Sequence, residues 1–436
     1  RGRIVKPLKC EHPGCGRKTF RLKQHESTSK SFQFIKVGEL LKDMPEGVTP
    51  KTIEVELTGD ICGKIMPGSR IWITGRVQEA EILLGKGART QECYLELVCA
   101  GIEKVEPRLS SAEITELEER AKKPEYMDIL VKAFAPNLHG LLDVKEALLL
   151  QMVSNGCHTN TENNTTIRDF IHVALVGESG SAKSSLKMAM KGYDPDIMLS
   201  SGVGRASAGL SADFVKDKLF DGYRVDLGPL PLADGHGVVI EEFDDLSPTD
   251  TRRLNEALDE CRFVVSKAGV NMDLWARCWI CATMSKRVSN DIMSRFDLMI
   301  TLPGAGQTAR DETQVGYSML AARGIEPVVA DDSGSPGETE PNLLTQKFVQ
   351  EHMRKLIAHA RTIKPTFQKV TGDMIHDYFV SDRKIGGTVM ATPRQIESLI
   401  RLAKCEAQLH LSPVVTPYHL ERAIRVLRSS MANRAK

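Results

Sequence analysis

The sequence predicts a multidomain chain: a small β-barrel, then an α/β domain on a parallel sheet, then a helical C-terminal region. Three observations carry this. Residues 1–105 alternate short β-type runs with Gly/Pro turns at a period of two. Residues 170–305 alternate strand-like and helix-like stretches. Residues 343–432 read as amphipathic helices.

In the first region, Thr52–Leu57, Arg70–Thr74 and Tyr94–Val98 are the strand candidates, with turns at Thr58-Gly59-Asp60 and Met66-Pro67-Gly68. An OB-fold over 1–105 is expected. Lys86 and Arg89, in Gly85-Lys86-Gly87-Ala88-Arg89, sit on a loop or hairpin tip. They are candidate DNA contacts, although two charges on a Gly-rich tip are more commonly just solvated. Residues 106–160 form a helical linker, opened by a hydroxyl cap and downstream acid in Ser110-Ser111-Ala112-Glu113. Residues 161–324 carry the α/β domain. Residues 325–342 are rich in Pro, Gly and acid and read as a linker. Residues 343–436 are a helical lid, where Ala391-Thr392-Pro393-Arg394 starts a helix with proline at an early position.

The formal net charge of +1 makes no global demand for nucleic acid, so any DNA contact must come from local basic features. Aromatic residues at 5% argue against base stacking as the main binding device. The ten cysteines are irregularly spaced and read as reduced, intracellular thiols. No apolar run is long enough to cross a membrane and no signal peptide opens the chain, so a soluble intracellular protein is expected. The chain opens at Arg1 without a methionine, which raises the expectation of a missing upstream part.

The chemistry gathers around residues 177–184, Gly-Glu-Ser-Gly-Ser-Ala-Lys-Ser, directly after the apolar run 171–176. A strand, a tight turn and a helix start make a phosphate cradle, with loop amides and the helix N-terminus facing anionic oxygens. Gly177, Gly180, Ala182, Lys183, Ser184 and Ser185 are the nucleotide-binding candidates. Lys183 would reach the β- and γ-phosphates and Ser184 would hold Mg²⁺. Ala182 stands where a second glycine is usual. Downstream, Val238–Ile240 runs into Glu241, Glu242 and Asp244. Acids at the exposed end of a buried strand are common on their own, but beside a phosphate loop they read as the Mg²⁺-orienting and water-polarising carboxylates. Phe263–Val270 is a hairpin candidate with Lys267 near its tip, and Arg295 lies at a helix-to-strand junction, where a finger reaching a neighbouring subunit or an ordinary salt bridge is expected.

Taken in order, Gly177-x-x-Gly180-x-Ala182-Lys183-Ser184, Ser207-Ala208-Gly209-Leu210, Leu232-Ala233-Asp234-Gly235, Glu242-Phe243-Asp244, Lys267-Ala268-Gly269, Ser294-Arg295-Phe296-Asp297-Leu298 and Arg394-Gln395 resemble the minichromosome maintenance (MCM) helicases, hexameric AAA+ ATPases of DNA replication. The segment Ala135–Gln151 and the run Glu54–Asp60 with Pro67-Gly68 are similar to the same family, so the resemblance covers nearly the whole chain. It implies ATP and Mg²⁺ as cofactors, with Lys183 and Ser184 as the Walker A pair and Glu241 and Glu242 as the Walker B acids. It implies Arg295 as the arginine finger, Arg394 as the second trans-acting arginine and Lys267 as a DNA-contacting hairpin lysine. Residues 211–228, with an Asp221-Gly222 turn, correspond to a second channel hairpin. The implied partners are single- or double-stranded DNA and like or related subunits in a ring, in the cytoplasm or nucleoid of a prokaryote or the nucleus of a eukaryote. One lysine per subunit, repeated around a ring, would supply the charge that the neutral chain lacks.

Four departures qualify the resemblance. Glu241 replaces an aspartate; Ser285 lies where the sensor-1 asparagine is expected; only Lys286 to Met293 remain of a longer loop before Arg295; and one cysteine pair, Cys10 and Cys15, with His12 between them, remains of a two-pair zinc site. One pair is not a tetrahedral structural site, so zinc is doubtful and Cys10 and Cys15 are a remnant. The helical N-terminal subdomain and C-terminal winged helix of the family are not found. Together these predict an archaeal-type, partly degenerate and N-terminally shortened member that binds ATP with hydrolysis reduced or lost. A fully active helicase is one alternative. Another AAA+ machine, such as a transcription activator or chelatase subunit, is a second, weakened by the OB-type front end and Lys267. Trp275 and Trp279 are expected to pack, His236 to lie near the loop without a role, and Cys278 and Cys281 to point to opposite faces of a strand.

Overall fold

The computed structural model describes residues 9–10, 12–19, 31–39, 52–62, 65, 71–83, 91–104, 109–123, 125–136, 138, 140–160, 165–178, 180–202, 209–216, 223–267, 270–303, 343–384 and 392–434. The chain divides into two units, one from segments between Arg1 and Lys104, the other principally Val105–Lys436. The expected linker at 325–342 and the tip bearing Lys86 and Arg89 lie outside the described residues.

The first unit is a mixed sheet of β1 (Phe32–Gly38), β2 (Thr52–Thr58), β3 (Ile71–Leu83) and β4 (Gln91–Lys104), in the order β1-β2-β4-β3. Its antiparallel neighbours are β1/β2 and β3/β4, while β2 runs parallel to β4. The period-two pattern of β2 has a direct outcome: Val55 and Leu57 are fully buried, and Ile35, Val37, Ile53 and Ile73 pack against them. Gly59, at φ +67°, turns the chain out of β2, and its amide donates to the Ser31 carbonyl at 2.8 Å.

The second unit opens with α1 (Ser111–Ala121), α2 (Tyr126–Ala133) and α3 (Leu142–Val153). The expected cap on α1 is present in both directions. Ser110 Oγ accepts from the Glu113 amide at 3.4 Å, and the Glu113 carboxylate accepts from the Ser110 amide at 2.9 Å. A short hairpin follows, β5 (Cys157–Asn160) with β6 (Thr165–Arg168), which periodicity does not reveal.

The central layer comprises β7 (Val173–Val176), α4 (Lys183–Tyr193), β8 (Met198–Ser201), the hairpin β9 (Ala212–Lys216) and β10 (Tyr223–Leu227), α5 (Pro229–Leu232), β11 (Gly237–Glu241), α6 (Pro248–Glu260), the hairpin β12 (Arg262–Lys267) and β13 (Val270–Trp275), β14 (Trp279–Met284), α7 (Asn290–Met293) and β15 (Leu298–Thr301). Five of the strands make a parallel sheet in the order β15-β7-β14-β11-β8. Alternate residues feed two separate cores. Val173, Leu175, Val239, Cys281, Leu298 and Ile300 face one; Ala174, Val176, Val238, Ile240, Ile280 and Ala282 face the other. This is why parallel strands read as continuous apolar runs. The chain passes from β7 to the far edge, returns, and crosses to β15 on the other side, so the C-terminal end of β7 lies at a topological switch point.

The lid is α8 (Leu343–Ala360), α9 (Lys369–Lys384), α10 (Pro393–Leu409) and α11 (Pro417–Arg434). Leu356, Leu399, Leu402, Leu420 and Leu427 join the first core, so lid and sheet share one hydrophobic interior. Burying each such leucine is worth roughly 2 kcal/mol. Among the described residues no helix is long and apolar enough to cross a membrane.

Candidate nucleotide site and arginine cavity

The loop after β7 is anchored on both sides. The Gly177 amide donates to the Met284 carbonyl at 3.0 Å, and the Leu302 amide donates to the Val176 carbonyl at 2.7 Å. A Cβ on Gly177 would lie 2.6 Å from Ser181 Oγ, and Gly180 has φ +86°, so both positions favour glycine. Ala182 takes φ +64° and ψ 8° immediately before α4. A left-handed alanine costs about 1 kcal/mol, which explains why glycine is the usual residue there. Lys183 Nζ donates to the carbonyls of Gly177 and of Glu178, the latter at 2.8 Å. Burial lowers its pKa, while Asp244 and Glu178 oppose that shift. Ser184 and Ser185 are exposed on the first turn of α4, where helix amides have no intrahelical acceptor.

The acids stand together at the end of β11 and in the turn that follows it. Glu241 closes β11, and its Oε1 accepts from Lys187 Nζ at 2.7 Å. Glu242 has φ +52°, and its Oε2 accepts from Ser201 Oγ at 2.9 Å. Asp244 Oδ2 accepts from the amides of Ser285 and Lys286 at 3.3 and 3.2 Å. The backbone after β14 is therefore pinned to the turn after β11. Position 285 meets Asp244 through its backbone, with its side chain exposed.

Arg295 and Arg394, 99 positions apart in sequence, line one cavity of about 600 Å³ together with Arg168, Arg401 and Lys404. Among the described residues, none of 177, 178 and 180–185 lines it, nor do Glu241 and Glu242. Arg295 is held by Asp259 at 3.0 Å and Asp291 at 2.9 Å. Arg394, on the first turn of α10 behind Pro393, donates to Ser294 Oγ at 2.8 Å. Behind them Asp297 is buried. Its carboxylate accepts from Ser398 Oγ at 2.6 Å, Arg401 Nη2 at 2.8 Å and the His172 amide at 2.8 Å, and pairs with Arg168 at 3.4 Å. Burial pushes the Asp297 carboxyl up, but Arg168 and Arg401 overcome it and hold its pKa below the ordinary value. Sequence reasoning named Asp297 only as part of a motif and missed Arg168 and Arg401, which no local signal marks.

Lys267 is the last residue of β12, paired in register with Val270, so it stands where the hairpin turns; Ala268 and Gly269 lie outside the described residues. The β9–β10 hairpin pairs Lys216 with Tyr223, with the Asp221-Gly222 turn also outside them. Trp279 is fully buried, stacked so closely under Gly237 that a Cβ there would clash. Trp275 lies under the Arg277 guanidinium at 5.2 Å. His236 Nδ1 lies 3.0 Å from Asp194 Oδ2, which also accepts from Arg361 at 2.8 Å. Cys278 and Cys281 belong to the two different cores, and burial pushes the Cys281 thiol up to about 12. Cys10 and Cys15 flank a turn closed by the Cys15 amide on the His12 carbonyl at 3.1 Å. Among the described residues, the one trio with ligand atoms close enough to share an ion is Asp194, Asp196 and His236, where Arg361 already supplies a cation.

Comparison with known proteins gives consistent matches. Models of the MCM OB domain, the MCM P-loop domain and the MCM AAA-lid domain match residues 2–81, 113–321 and 351–431. The chain is 28% identical to the minichromosome maintenance protein MCM of Saccharolobus solfataricus over 96% of its own length and 62% of that protein's. It is 27% identical to the DNA replication licensing factor mcm-6 of Caenorhabditis briggsae, over 98% and 60%. It is 26% identical to the DNA replication licensing factor MCM3 of Gallus gallus, over 92% and 56%. The chain thus spans about three fifths of the length of these curated relatives. With OB, P-loop and lid domains matched in that order, and with the phosphate loop at the switch point of its parallel sheet, the chain belongs to the MCM family.

Proposed function

We propose that this chain is an ATP-binding subunit of an intracellular MCM ring that engages DNA, and that its own ATP hydrolysis is reduced or lost. The observation that carries this is the separation of the two halves of the machinery. The phosphate loop follows β7 at the switch point and the acids follow β11, whereas Arg295 and Arg394 share a cavity that those residues do not line. Arginines held together away from their own loop suit a site completed by a neighbouring subunit. On this reading Lys183 leaves its two carbonyls for the phosphates, the amides of the α4 first turn hold the anionic oxygens, and Glu242 orients the attacking water. Lys267 and the β9–β10 hairpin face DNA phosphates, with Lys86 and Arg89 as further candidates.

A P-loop domain implies ATP held with magnesium. The loop fits the triphosphate: two glycines, a lysine and a helix start come together there. The fit to magnesium is incomplete. Ser184 offers an exposed hydroxyl, but Glu241, the carboxylate expected beside it, is already neutralised by Lys187. That pairing, with the lengthened Glu241 and with Ser285 at the sensor position, supports weak turnover.

Calorimetric titration with ATP, an ATPase assay with and without single-stranded DNA, and native mass with Mg-ATP test the reading. Binding, ring-sized species and slow turnover are expected. Robust DNA-stimulated turnover that vanishes with Lys183→Ala refutes reduced activity; no ATP binding under any condition refutes the whole reading.

A further inference from the structure

The helix after the phosphate loop carries lysines at 183, 187 and 191, every fourth residue and so on one face. Their partners differ. Lys183 donates to loop carbonyls, and Lys191 donates to the carbonyls of Pro195 and Ile197, both at 2.6 Å. Lys187 alone of the three takes a carboxylate, Glu241, at 2.7 Å, with only 15% of its own side chain and 33% of its partner's exposed. A short, charge-assisted bond at this degree of burial is a retained contact rather than a solvated surface pair.

The partner is the acid expected to face magnesium. Resting on the nucleotide-binding reading above, we infer that Lys187 is a tethered counter-cation for Glu241, and that this pocket takes ATP with little dependence on Mg²⁺. A bare carboxylate at the end of β11 repels a metal-free triphosphate, and the divalent ion ordinarily cancels that repulsion. Here the ammonium cancels it from within the chain. The extra methylene of Glu241 suits this arrangement, since it extends the carboxylate from the strand end toward the second turn of α4. One charge-neutralising contact then serves metal-free and metal-bound nucleotide alike.

Affinity for a fluorescent ATP analogue, measured on the whole chain in excess Mg²⁺ and then in EDTA, is the test. In the wild type, EDTA is expected to weaken binding by less than about fivefold. In Lys187→Met, where Glu241 is left uncompensated, the loss is expected to exceed roughly twentyfold. Lys187→Met combined with Glu241→Gln should return to the small wild-type ratio, because charge and counter-charge have gone together. A large EDTA effect in the wild type overturns the inference whatever the variants do, including if one of them fails to fold. So does an equal ratio in wild type and Lys187→Met. Binding in Mg²⁺ that is lost in EDTA leaves the nucleotide-binding reading intact while removing this one; absence of binding in both buffers removes both.

Discussion

The phosphate loop and the arginine cavity hold their cations in opposite ways. At the loop the cation is provisional. Lys183 rests on two carbonyls of its own loop, and the helix behind it begins with a left-handed alanine. At the cavity the cations rest on foundations. Arg295 is gripped by two aspartates, and Arg401 and Arg168 are locked onto the buried Asp297 beneath it. The loop must exchange contacts to bind, while the cavity is preorganised and pays its ordering cost at folding. Fold stability and ligand affinity should therefore separate cleanly between the two regions.

The largest break in that contrast is Asp297→Ala. It leaves Arg168 and Arg401 facing each other without their acid, and urea denaturation should show a loss of about 3–5 kcal/mol. Lys183→Ala is the converse. Its partners are loop carbonyls, so the denaturation midpoint should barely move, while ATP affinity measured by calorimetry should fall by roughly 2–3 kcal/mol, about 30- to 150-fold. A third outcome concerns the lid. Burial, helped by His410, lowers the His419 pKa to about 4, and the Thr416 amide donates to its Nδ1 at 3.1 Å. Folded His419 is neutral and the unfolded residue titrates near 6.5, so its contribution is complete above pH 6.5 and is lost as pH falls through 4. Melting temperatures across that window should show roughly 3 kcal/mol of acid destabilisation that His419→Gln flattens. The smallest effect is Ala182→Gly, which relieves the left-handed strain and should stabilise by up to about 1 kcal/mol, with the melt as the readout.

Legibility followed the same divide. The loop was readable because glycine, lysine and serine at fixed local spacing encode a turn, and the sheet strands because runs such as Val238–Ile240 bury both faces. The β5–β6 hairpin was not, since Cys-His-Thr-Asn and Thr-Thr-Ile-Arg are short and lack alternation. The exchange at Glu241 was visible, but its partner Lys187 was not: a lysine on a helix is ordinary until the fold brings a carboxylate to it. Arg401, on α10, and Asp297, just before β15, lie 104 positions apart in sequence and meet only in the fold. Long-range pairings of this kind leave no trace in periodicity, whereas the capping box at Ser110 and Glu113, three residues apart, was plain.

Asp244 works as a tie rod between the ends of β11 and β14. It fastens the amides of Ser285 and Lys286 to the turn that follows Glu241 and Glu242. The fastened stretch runs on through α7 to Arg295. A displacement of the turn after Glu241 and Glu242 is therefore handed, through two amides, to the stretch of backbone that leads to Arg295.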